Sequence, residues 1–304
     1  MAPIYPPEIN DMVTDPLSGS QEMREPTVIF LHIGKTGGST LRKIVDRNFR
    51  RSEVVLVQSA QRPDTLRPRR EDSLKDLAAV PFSRLQRARL IEGHMIFGGH
   101  ELVPGPSTYI TLIRKPVPLA ISQYRFVLRT PGHRLHETVT SSGMSLDEYV
   151  RGGVSLEVDN SQTRVISGDV TTPFGGVTTD MLEAAKRHIE ERFAMVGLTE
   201  RFDESIVWLS ELFGWTKLSY VRVKVAPKSQ QAPVDAETIR YLEELNRFDS
   251  DLYSFAERRL DEAISRYPSF EQDLARAKRK NALARPWGAV RHTIPKRLVS
   301  RVKT

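Results

Sequence analysis

The 304-residue sequence contains no cysteine, which excludes disulfide bonds, thiolate zinc sites and a cysteine nucleophile. It also lacks any stretch that approaches the roughly 20 consecutive apolar residues of a membrane-spanning helix. Residues 1–25 include four prolines and lack the basic patch and apolar run of a signal peptide. From these absences we expect a cytoplasmic protein without a transmembrane segment.

Acidic residues are missing from the last part of the chain. Residues 276–304 contain ten basic side chains and no acidic one, whereas the rest of the chain has 35 basic residues against 38 acidic ones. The net charge of +7 therefore resides in this basic tail and not on a face of the folded body. We expect no specific nucleic-acid partner, and we allow for peripheral contact between the tail and anionic surfaces.

The remaining composition is that of an ordinary globular protein, with 39% apolar and 27% charged residues. A chain of this length buries a substantial core. We predict a flexible leader over residues 1–25, a single domain over residues 26–267 and a basic C-terminal extension over residues 268–304.

Short apolar runs rich in β-branched residues alternate with helical periodicity along the chain. The runs predict strands at residues 27–33, 54–57, 108–113, 194–198 and 218–225. Helices are predicted at residues 74–89, after Pro116, and at residues 146–151, 156–166, 179–192, 202–213 and 235–267, with loops at residues 62–70 and 130–143. This alternation predicts an α/β fold, a three-layer sandwich whose central, mainly parallel sheet is flanked by helices.

A loop of small residues follows the first predicted strand and opens a helix. It consists of Gly34, Lys35, Thr36, Gly37, Gly38, Ser39 and Thr40. Its backbone N–H groups, the helix dipole and the charge of the lysine predict an anion-binding site. The spacing differs from that of nucleotide hydrolases, because their GxxxxGK[ST] pattern requires glycine where this chain has Ile29.

The segment HIGKTGGSTL at residues 32–41 resembles the loop that binds the 5′-phosphosulfate group in sulfotransferases that use 3′-phosphoadenosine 5′-phosphosulfate (PAPS). The branch it resembles most is that of heparan sulfate 2-O-sulfotransferase. The segment TLIRKPVPLAISQYRF at residues 111–126 resembles the family's 3′-phosphate segment, with Arg114 and Ser122 at the two phosphate-binding positions. The resemblance implies a P-loop-like sandwich, PAPS as sulfuryl donor, and a carbohydrate or glycolipid acceptor.

The segment IEGHM at residues 91–95 resembles the family's GH segment, in which histidine is the proposed base that deprotonates the acceptor hydroxyl. His94 matches that histidine, and the ordinary pKa of histidine near neutrality suits the role. Glu92 departs from relatives that have histidine there, and it either orients His94 or serves as the base itself. Lys35 and the loop amides would stabilise charge on the leaving phosphate.

Fainter resemblance extends over residues 160–164, 193–202 and 246–253, and residues 224–231 lie where the family folds a loop over the nucleotide. The acceptor is expected to contact residues 130–143 and 171–178, which carry no diagnostic motif. No carboxylate cluster has convincing metal-ligand spacing, and Asp249 and Asp251 fit a solvated helix face. We therefore expect activity that needs no metal.

The sequence thus predicts a cytoplasmic, bacterial enzyme that transfers the sulfuryl group of PAPS to a hydroxyl of a carbohydrate or glycoconjugate by in-line displacement. Two alternatives stay open. One is a nucleotide-dependent kinase that uses the loop at residues 34–40 with ATP. The other is a non-enzymatic polyanion-binding protein that acts through its basic tail.

Overall fold

Five strands form one parallel sheet within residues 25–57, 70–220 and 233–291, the ranges that the computed structural model describes. The strands are β1 (Thr27–Leu31), β2 (Val54–Val57), β3 (Leu90–Gly93), β4 (Ser107–Ile113) and β5 (Phe193–Leu198). Their order across the sheet is β2-β3-β1-β4-β5, and every neighbouring pair is parallel. The central position of β1 places the loop that follows it at the middle of the sheet's carboxyl edge.

Helices account for most of the other described residues. They are α1 (Gly38–Val45), α2 (Arg70–Ala78), α3 (Phe82–Leu85), α4 (Pro116–Leu128), α5 (His136–Ser141), α6 (Leu146–Arg151), α7 (Ser161–Ser167), α8 (Thr179–Arg192), α9 (Phe202–Phe213), α10 (Ala236–Leu245), α11 (Arg247–Ser265) and α12 (Phe270–Arg291). Four short 3₁₀ turns complete the described elements. Pro116 is the first residue of α4, where its missing N–H is tolerated.

Apolar side chains alternate between the two faces of the strands, the period-2 pattern of a sheet that is buried on both sides. In β1, Ile29 and Leu31 belong to the core shared with α8 and α11, whereas Val28 and Phe30 belong to the core shared with α1 and α9. A third apolar cluster joins α4, α6 and α10 beside the sheet. The architecture is a three-layer α/β/α sandwich, which confirms the predicted fold class.

Several predicted boundaries are wrong. The helix predicted at residues 74–89 is two helices, α2 and α3, because Pro81 cannot continue a helix and instead precedes α3. The helix predicted at residues 156–166 is interrupted at Asn160, whose φ of 45° is left-handed. Residues 130–143, predicted as a loop, contain α5. Residues 218–220, the described part of the last predicted strand, are not in a strand. The sheet instead contains β3, which is not predicted from the sequence and lies between β2 and β1.

Other predictions fall outside the described residues: the leader up to residue 24, the loop at residues 62–69, the segment 224–231 and the tail beyond residue 291. The beginning of the predicted extension is described. α12 starts at Phe270, which packs with Leu274 against Val207 of α9. Among the described helices, none combines the length and apolar character needed to span a membrane.

The order of the strands determines where a ligand can bind. The chain crosses from β1 to β2 on one side of β1 and continues from β3 to β4 on the other side. In open parallel sheets such a reversal opens a crevice at the carboxyl ends of the strands. The segments that follow β1, β3 and β4 therefore meet there, and they carry the predicted site residues Lys35, His94 and Arg114.

Candidate functional site

The loop after β1 turns through two residues with positive φ. Lys35 has a φ of 65° and Gly37 a φ of 86°. Residues other than glycine rarely adopt this left-handed region. Thr36 Oγ1 donates a hydrogen bond to Ile33 O at 2.9 Å, so this buried threonine closes the turn from inside. α1 begins at Gly38, and the first N–H groups of a helix have no partner within it. The arrangement suits an anion.

The members of this loop differ in exposure. Gly34, Lys35, Gly37 and Ser39 are partly exposed, whereas Thr36, Gly38 and Thr40 are buried. The N–H of Thr40 already donates to Gly37 O at 2.9 Å. The partly exposed members and the first N–H groups of α1 are therefore the parts of the loop that an anion would reach.

Gly38 lies against the ring of His32, the residue that follows β1. A Cβ atom on Gly38 would lie 2.2 Å from His32 Cδ2, far inside van der Waals contact. Glycine is therefore required for α1 to approach this imidazole. The His32 ring also stacks on Phe30 and on His94, with centroid distances of 5.4 and 4.3 Å. His32 thus connects the loop physically with the predicted base.

Thr199, directly after β5, ties the loop to the end of β4. Its Oγ1 lies 2.6 Å from Thr36 O and 2.9 Å from Ile113 O, so two carbonyl oxygens share its hydrogen. Its N–H also donates to Ile113 O at 2.9 Å. On the other side of the turn, Phe202 lies 3.6 Å from the position that a Cβ of Gly37 would take. These contacts hold the loop backbone from outside.

The Lys35 side chain extends towards α4. Its Nζ lies 4.0 Å from the ring centroid of Phe126, which is a cation–π contact. Ser122 lies four residues before Phe126 in α4, and residues four apart share a helix face. The structure thus places Ser122 on the face of α4 that Lys35 contacts.

Arg114 follows β4 and reaches back to the loop. Its Nη1 donates a hydrogen bond to Lys35 O at 3.1 Å, and its Nε lies 3.9 Å from Glu200 Oε1. Burial lowers the pKa of Arg114, while the charge of Glu200 acts in the opposite direction. The two predicted phosphate segments, in which these residues are 79 positions apart, therefore meet in one place.

His94 follows β3 and is exposed at the same edge of the sheet. Its Nδ1 lies 3.1 Å from His32 O. A carbonyl oxygen only accepts, so Nδ1 carries the hydrogen, and in the neutral ring Nε2 is the atom that can take a proton. The protein therefore holds the imidazole in the tautomer that a general base acting at Nε2 requires.

Glu92, near the end of β3, is buried and paired with Arg42 of α1. It is 1% exposed, and Arg42 Nη2 lies 2.7 Å from its Oε1. Its pKa is raised to about 7, first by burial and then by the charge of Asp46, while Arg42 acts in the opposite direction. A carboxyl buried under a helix has no access to an acceptor hydroxyl. The structure therefore removes Glu92 from the candidate bases and makes it part of the support for α1.

We expect Glu92→Gln to remove a pH dependence of stability. Because the folded-state pKa is raised, the carboxyl stabilises the fold below its unfolded pKa of 4.5 and loses this contribution as the pH rises through about 7. Glutamine resembles the protonated carboxyl, so the variant should match the wild type near pH 4 and exceed it at pH 8 by about 1–3 kcal/mol. Urea unfolding at several pH values measures this difference.

The exposed residue Glu137 provides the control, since Glu137→Gln should keep the wild-type pH dependence of unfolding. If Glu92→Gln and the wild type lose stability equally between pH 4 and pH 8, the raised pKa of Glu92 is wrong.

Asp249, near the start of α11, is buried, so the prediction of a solvated position is wrong for this residue, whereas Asp251 is exposed. The Asp249 carboxylate accepts hydrogen bonds from the backbone and side chains of Gln162 and Thr163. These donors compensate for the loss of water around the carboxylate. Within the described residues, no group of three or more His, Asp or Glu side chains could hold a metal ion.

Residues 171–178, expected to contact the acceptor, are fastened by a buried ion pair. Arg164 Nη2 lies 2.5 Å from Asp159 Oδ2, and neither side chain is more than 2% exposed. The same Nη2 donates to Pro173 O at 2.8 Å, and Gly175 N donates to Asp159 Oδ2 at 2.8 Å. This segment is therefore anchored to the body through its backbone.

Residues 130–143, the other expected acceptor segment, border the loop. The His133 ring contacts Phe126 edge-on, with 5.7 Å between centroids, and Phe126 is the ring that Lys35 contacts. Burial lowers the pKa of His133, while the charge of Glu157 acts in the opposite direction. This segment therefore adjoins the site.

Three residues that organise the site have no role predicted from the sequence: His32, Gln162 and Thr199. All three lie inside segments that resemble the family, but the resemblance concerns groups that touch the nucleotide or acceptor. Thr199 acts through backbone carbonyl groups of other segments. Its contacts therefore leave no pattern in the sequence.

The turn after β1, Arg114 and an oriented histidine thus lie together at the carboxyl edge of a parallel sheet. The chain belongs to the galactose-3-O-sulfotransferase family, whose family model matches residues 6–281. This confirms the resemblance to carbohydrate sulfotransferases.

The chain is similar to heparan-sulfate 6-O-sulfotransferases of several vertebrates. The chain is 28% identical to heparan-sulfate 6-O-sulfotransferase 1 of Gallus gallus over 274 residues and 29% identical to that of Homo sapiens over 272 residues. Each alignment covers 76% of this chain, which spans only 65% of the length of either relative. The 2-O branch is thus not confirmed, and the bacterial source stays a prediction.

Among solved structures, a mouse sulfotransferase complexed with PAP is similar, with 15% identity and a TM-score of 0.36. The alignment covers 73% of this chain and 63% of that one. A similarity this low carries no argument about the site.

Proposed function

We propose that this chain transfers the sulfuryl group of PAPS to a hydroxyl of a carbohydrate or glycoconjugate. The observation that carries the proposal is the meeting of the Lys35 loop, Arg114 and His94 at one edge of the sheet. Membership of the galactose-3-O-sulfotransferase family and the 6-O-sulfotransferase relatives support this reaction class and a sugar acceptor. The chain spans 65% of the length of those relatives, and we include a sugar acceptor in the proposal on the strength of that shared part.

The residues present fit a nucleotide that carries phosphate groups at both the 5′ and the 3′ position of its ribose. The turn at Gly37 and the first turn of α1 would bind the 5′-phosphosulfate group through backbone N–H groups, and Lys35 would add a positive charge. Arg114, which follows β4, and Ser122, which lies on the face of α4 that Lys35 contacts, would bind the 3′-phosphate. Glycine at position 38 permits the close approach of α1 to His32 that keeps these parts together.

In the proposed reaction, His94 Nε2 takes the proton of the acceptor hydroxyl as its oxygen bonds to sulfur. The bond between sulfur and the leaving phosphate oxygen breaks on the opposite side. Lys35 and the loop amides stabilise the charge that develops on that phosphate, by analogy with phosphoryl transfer. The products are a sulfate ester and adenosine 3′,5′-bisphosphate.

Calorimetric titration of adenosine 3′,5′-bisphosphate and ADP tests the assignment before any acceptor is known. We expect the wild type to bind the bisphosphate at least about tenfold more tightly than it binds ADP. The reason is the charge-assisted contact that Arg114 makes with the 3′-phosphate, which ADP lacks. Arg114→Ala should erase this preference. Arg87→Ala, which removes an exposed arginine far along the chain from either phosphate segment, should keep it.

The alternative outcome is equally definite. If ADP binds as well as the bisphosphate or better, the 3′-phosphate assignment of Arg114 is wrong. The nucleotide-dependent kinase then becomes the better account of the loop.

A further inference from the structure

The backbone of Arg114 is held by one side-chain amide. Arg114 N donates to Gln162 Oε1 at 2.7 Å, and Gln162 Nε2 donates to Arg114 O at 2.9 Å. The amide thus pairs with both backbone groups of one residue, as a neighbouring strand would. Gln162 is fully buried in α7, at 0% exposure.

The position of Arg114 in the sheet explains why this pairing is needed. The pairing of β4 with β5 ends at Ile113 and Leu198, so Arg114 is the first residue beyond the ladder. Buried backbone N–H and C=O groups that lose a strand partner must find another, because leaving them unpaired is costly. Gln162 supplies both hydrogen-bond partners at once. It thereby extends the hydrogen-bonded backbone of β4 by one residue.

Gln162 is itself held in one orientation by Asp249. Gln162 Nε2 and N donate to Asp249 Oδ2 at 3.2 and 3.1 Å. The second carboxylate oxygen accepts from Thr163 N and Oγ1 at 2.7 and 2.8 Å. Because a carboxylate only accepts, the amide nitrogen of Gln162 must face it, which leaves Oε1 for the Arg114 N–H.

The free end of Arg114 is fixed at a different point. Its Nη1 donates to Lys35 O at 3.1 Å, so the guanidinium is tied to the anion-binding turn while Gln162 ties the backbone from which it extends. A side chain held at both ends has little freedom left to lose when it binds a ligand. Without Gln162, the arginine would remain present but would no longer start from a defined position.

We propose that Gln162 is a positioning residue for recognition of the 3′-phosphate, and that it acts through Arg114. This inference rests on the proposed function, because that function assigns Arg114 to the 3′-phosphate. Gln162 touches neither nucleotide nor acceptor in this account. Its contribution is to aim the guanidinium, with Asp249 as the fixed support behind it.

The test uses Gln162→Met, which keeps the length of the side chain and removes both polar groups. We expect its affinity for adenosine 3′,5′-bisphosphate to fall about tenfold, the equivalent of one hydrogen bond to a charged group, with the affinity for ADP within about twofold of the wild type. In the double variant with Arg114→Ala, the loss should equal that of Arg114→Ala alone, because one residue acts through the other.

Ser205→Ala is the matched control. Ser205 is also fully buried and also serves a strand end, since its Oγ accepts from Leu198 N at 2.9 Å. Its other hydrogen-bond partners among the described residues are Arg201 O and Leu198 O, not Arg114. A merely structural loss in Ser205→Ala should lower thermal stability and keep the nucleotide preference. Gln162→Met should change the preference, which a structural role would not do.

The outcomes separate the inference from the proposed function. If Gln162→Met keeps the wild-type preference, or weakens both nucleotides equally, the inference is overturned, while the proposed function stands as long as Arg114→Ala erases the preference. If the wild type has no preference, the proposed function fails and the inference falls with it. Should Gln162→Met not fold, Gln162→Asn decides in the same assay, because its shorter amide cannot reach Arg114 and Asp249 together.

Discussion

Replacing Lys35 with alanine should lower turnover by about 10²–10³-fold, which is the usual cost of removing one donor that stabilises a developing oxyanion. The ammonium group is positioned by Phe126, with 4.0 Å between Nζ and the ring centroid. Alanine at a φ of 65° bears the same Cβ as lysine, so the backbone strain of the turn is retained and the loss reports the charge. Steady-state turnover with PAPS and a saccharide acceptor measures it.

Lys43→Ala is the control for this experiment. Lys43 is an exposed lysine on α1, five residues from the start of that helix, and its removal should leave turnover within about twofold of the wild type, as is usual for surface substitutions. Lys35→Arg, which keeps the charge, should be less impaired than Lys35→Ala. Unchanged turnover in a folded Lys35→Ala protein would contradict the role of the loop.

Replacing His94 with alanine should lower turnover by about 10²–10⁴-fold, the usual contribution of a general base. The reason is the hydrogen bond between Nδ1 and His32 O at 3.1 Å, which leaves Nε2 to accept the proton. The affinity for adenosine 3′,5′-bisphosphate should stay within about twofold of the wild type, because His94 has no part in the phosphate contacts. Turnover and calorimetry on the same preparation separate the two effects.

Added imidazole distinguishes lost chemistry from lost structure in His94→Ala. His94 is exposed, so a free imidazole molecule can reach the space that its ring leaves. Partial recovery of turnover with rising imidazole, and no such effect on the wild type, is the expected result. If His94→Ala retains wild-type turnover, another group is the base and the proposed mechanism is wrong.

The fold class could be predicted because two strong periodicities alternate along the chain. β1 and β4 are runs rich in β-branched residues and almost entirely buried, and α9 occupies residues 202–213 as predicted. β3 is not predicted because its four residues, LIEG, include a glutamate. That side chain is buried in the folded protein, and its ion-pair partner Arg42 is brought to it only by tertiary folding. The local pattern of apolar and polar residues does not show that a buried charge has a partner from a distant part of the chain.

The site divides in the same way. Groups proposed to touch the nucleotide or acceptor, such as Lys35, Arg114 and His94, lie in short segments that can be recognised from the sequence. Their supports are not visible, because Gln162 reaches Arg114 across 48 positions. Asp249 shows the limit clearly: its neighbours in sequence indicate a solvated helix face, whereas its partners in space make it a buried acceptor of four hydrogen bonds.

A crystal structure of the chain with adenosine 3′,5′-bisphosphate tests the assignment of the two phosphate sites, because it locates both phosphates at once. We expect the 5′-phosphate on the backbone N–H groups at the start of α1 beside Lys35, and the 3′-phosphate between Arg114 and Ser122. His94 Nε2 should face the open side of the 5′-phosphate. A nucleotide bound elsewhere, or one whose 3′-phosphate lies away from Arg114, would contradict the assignment.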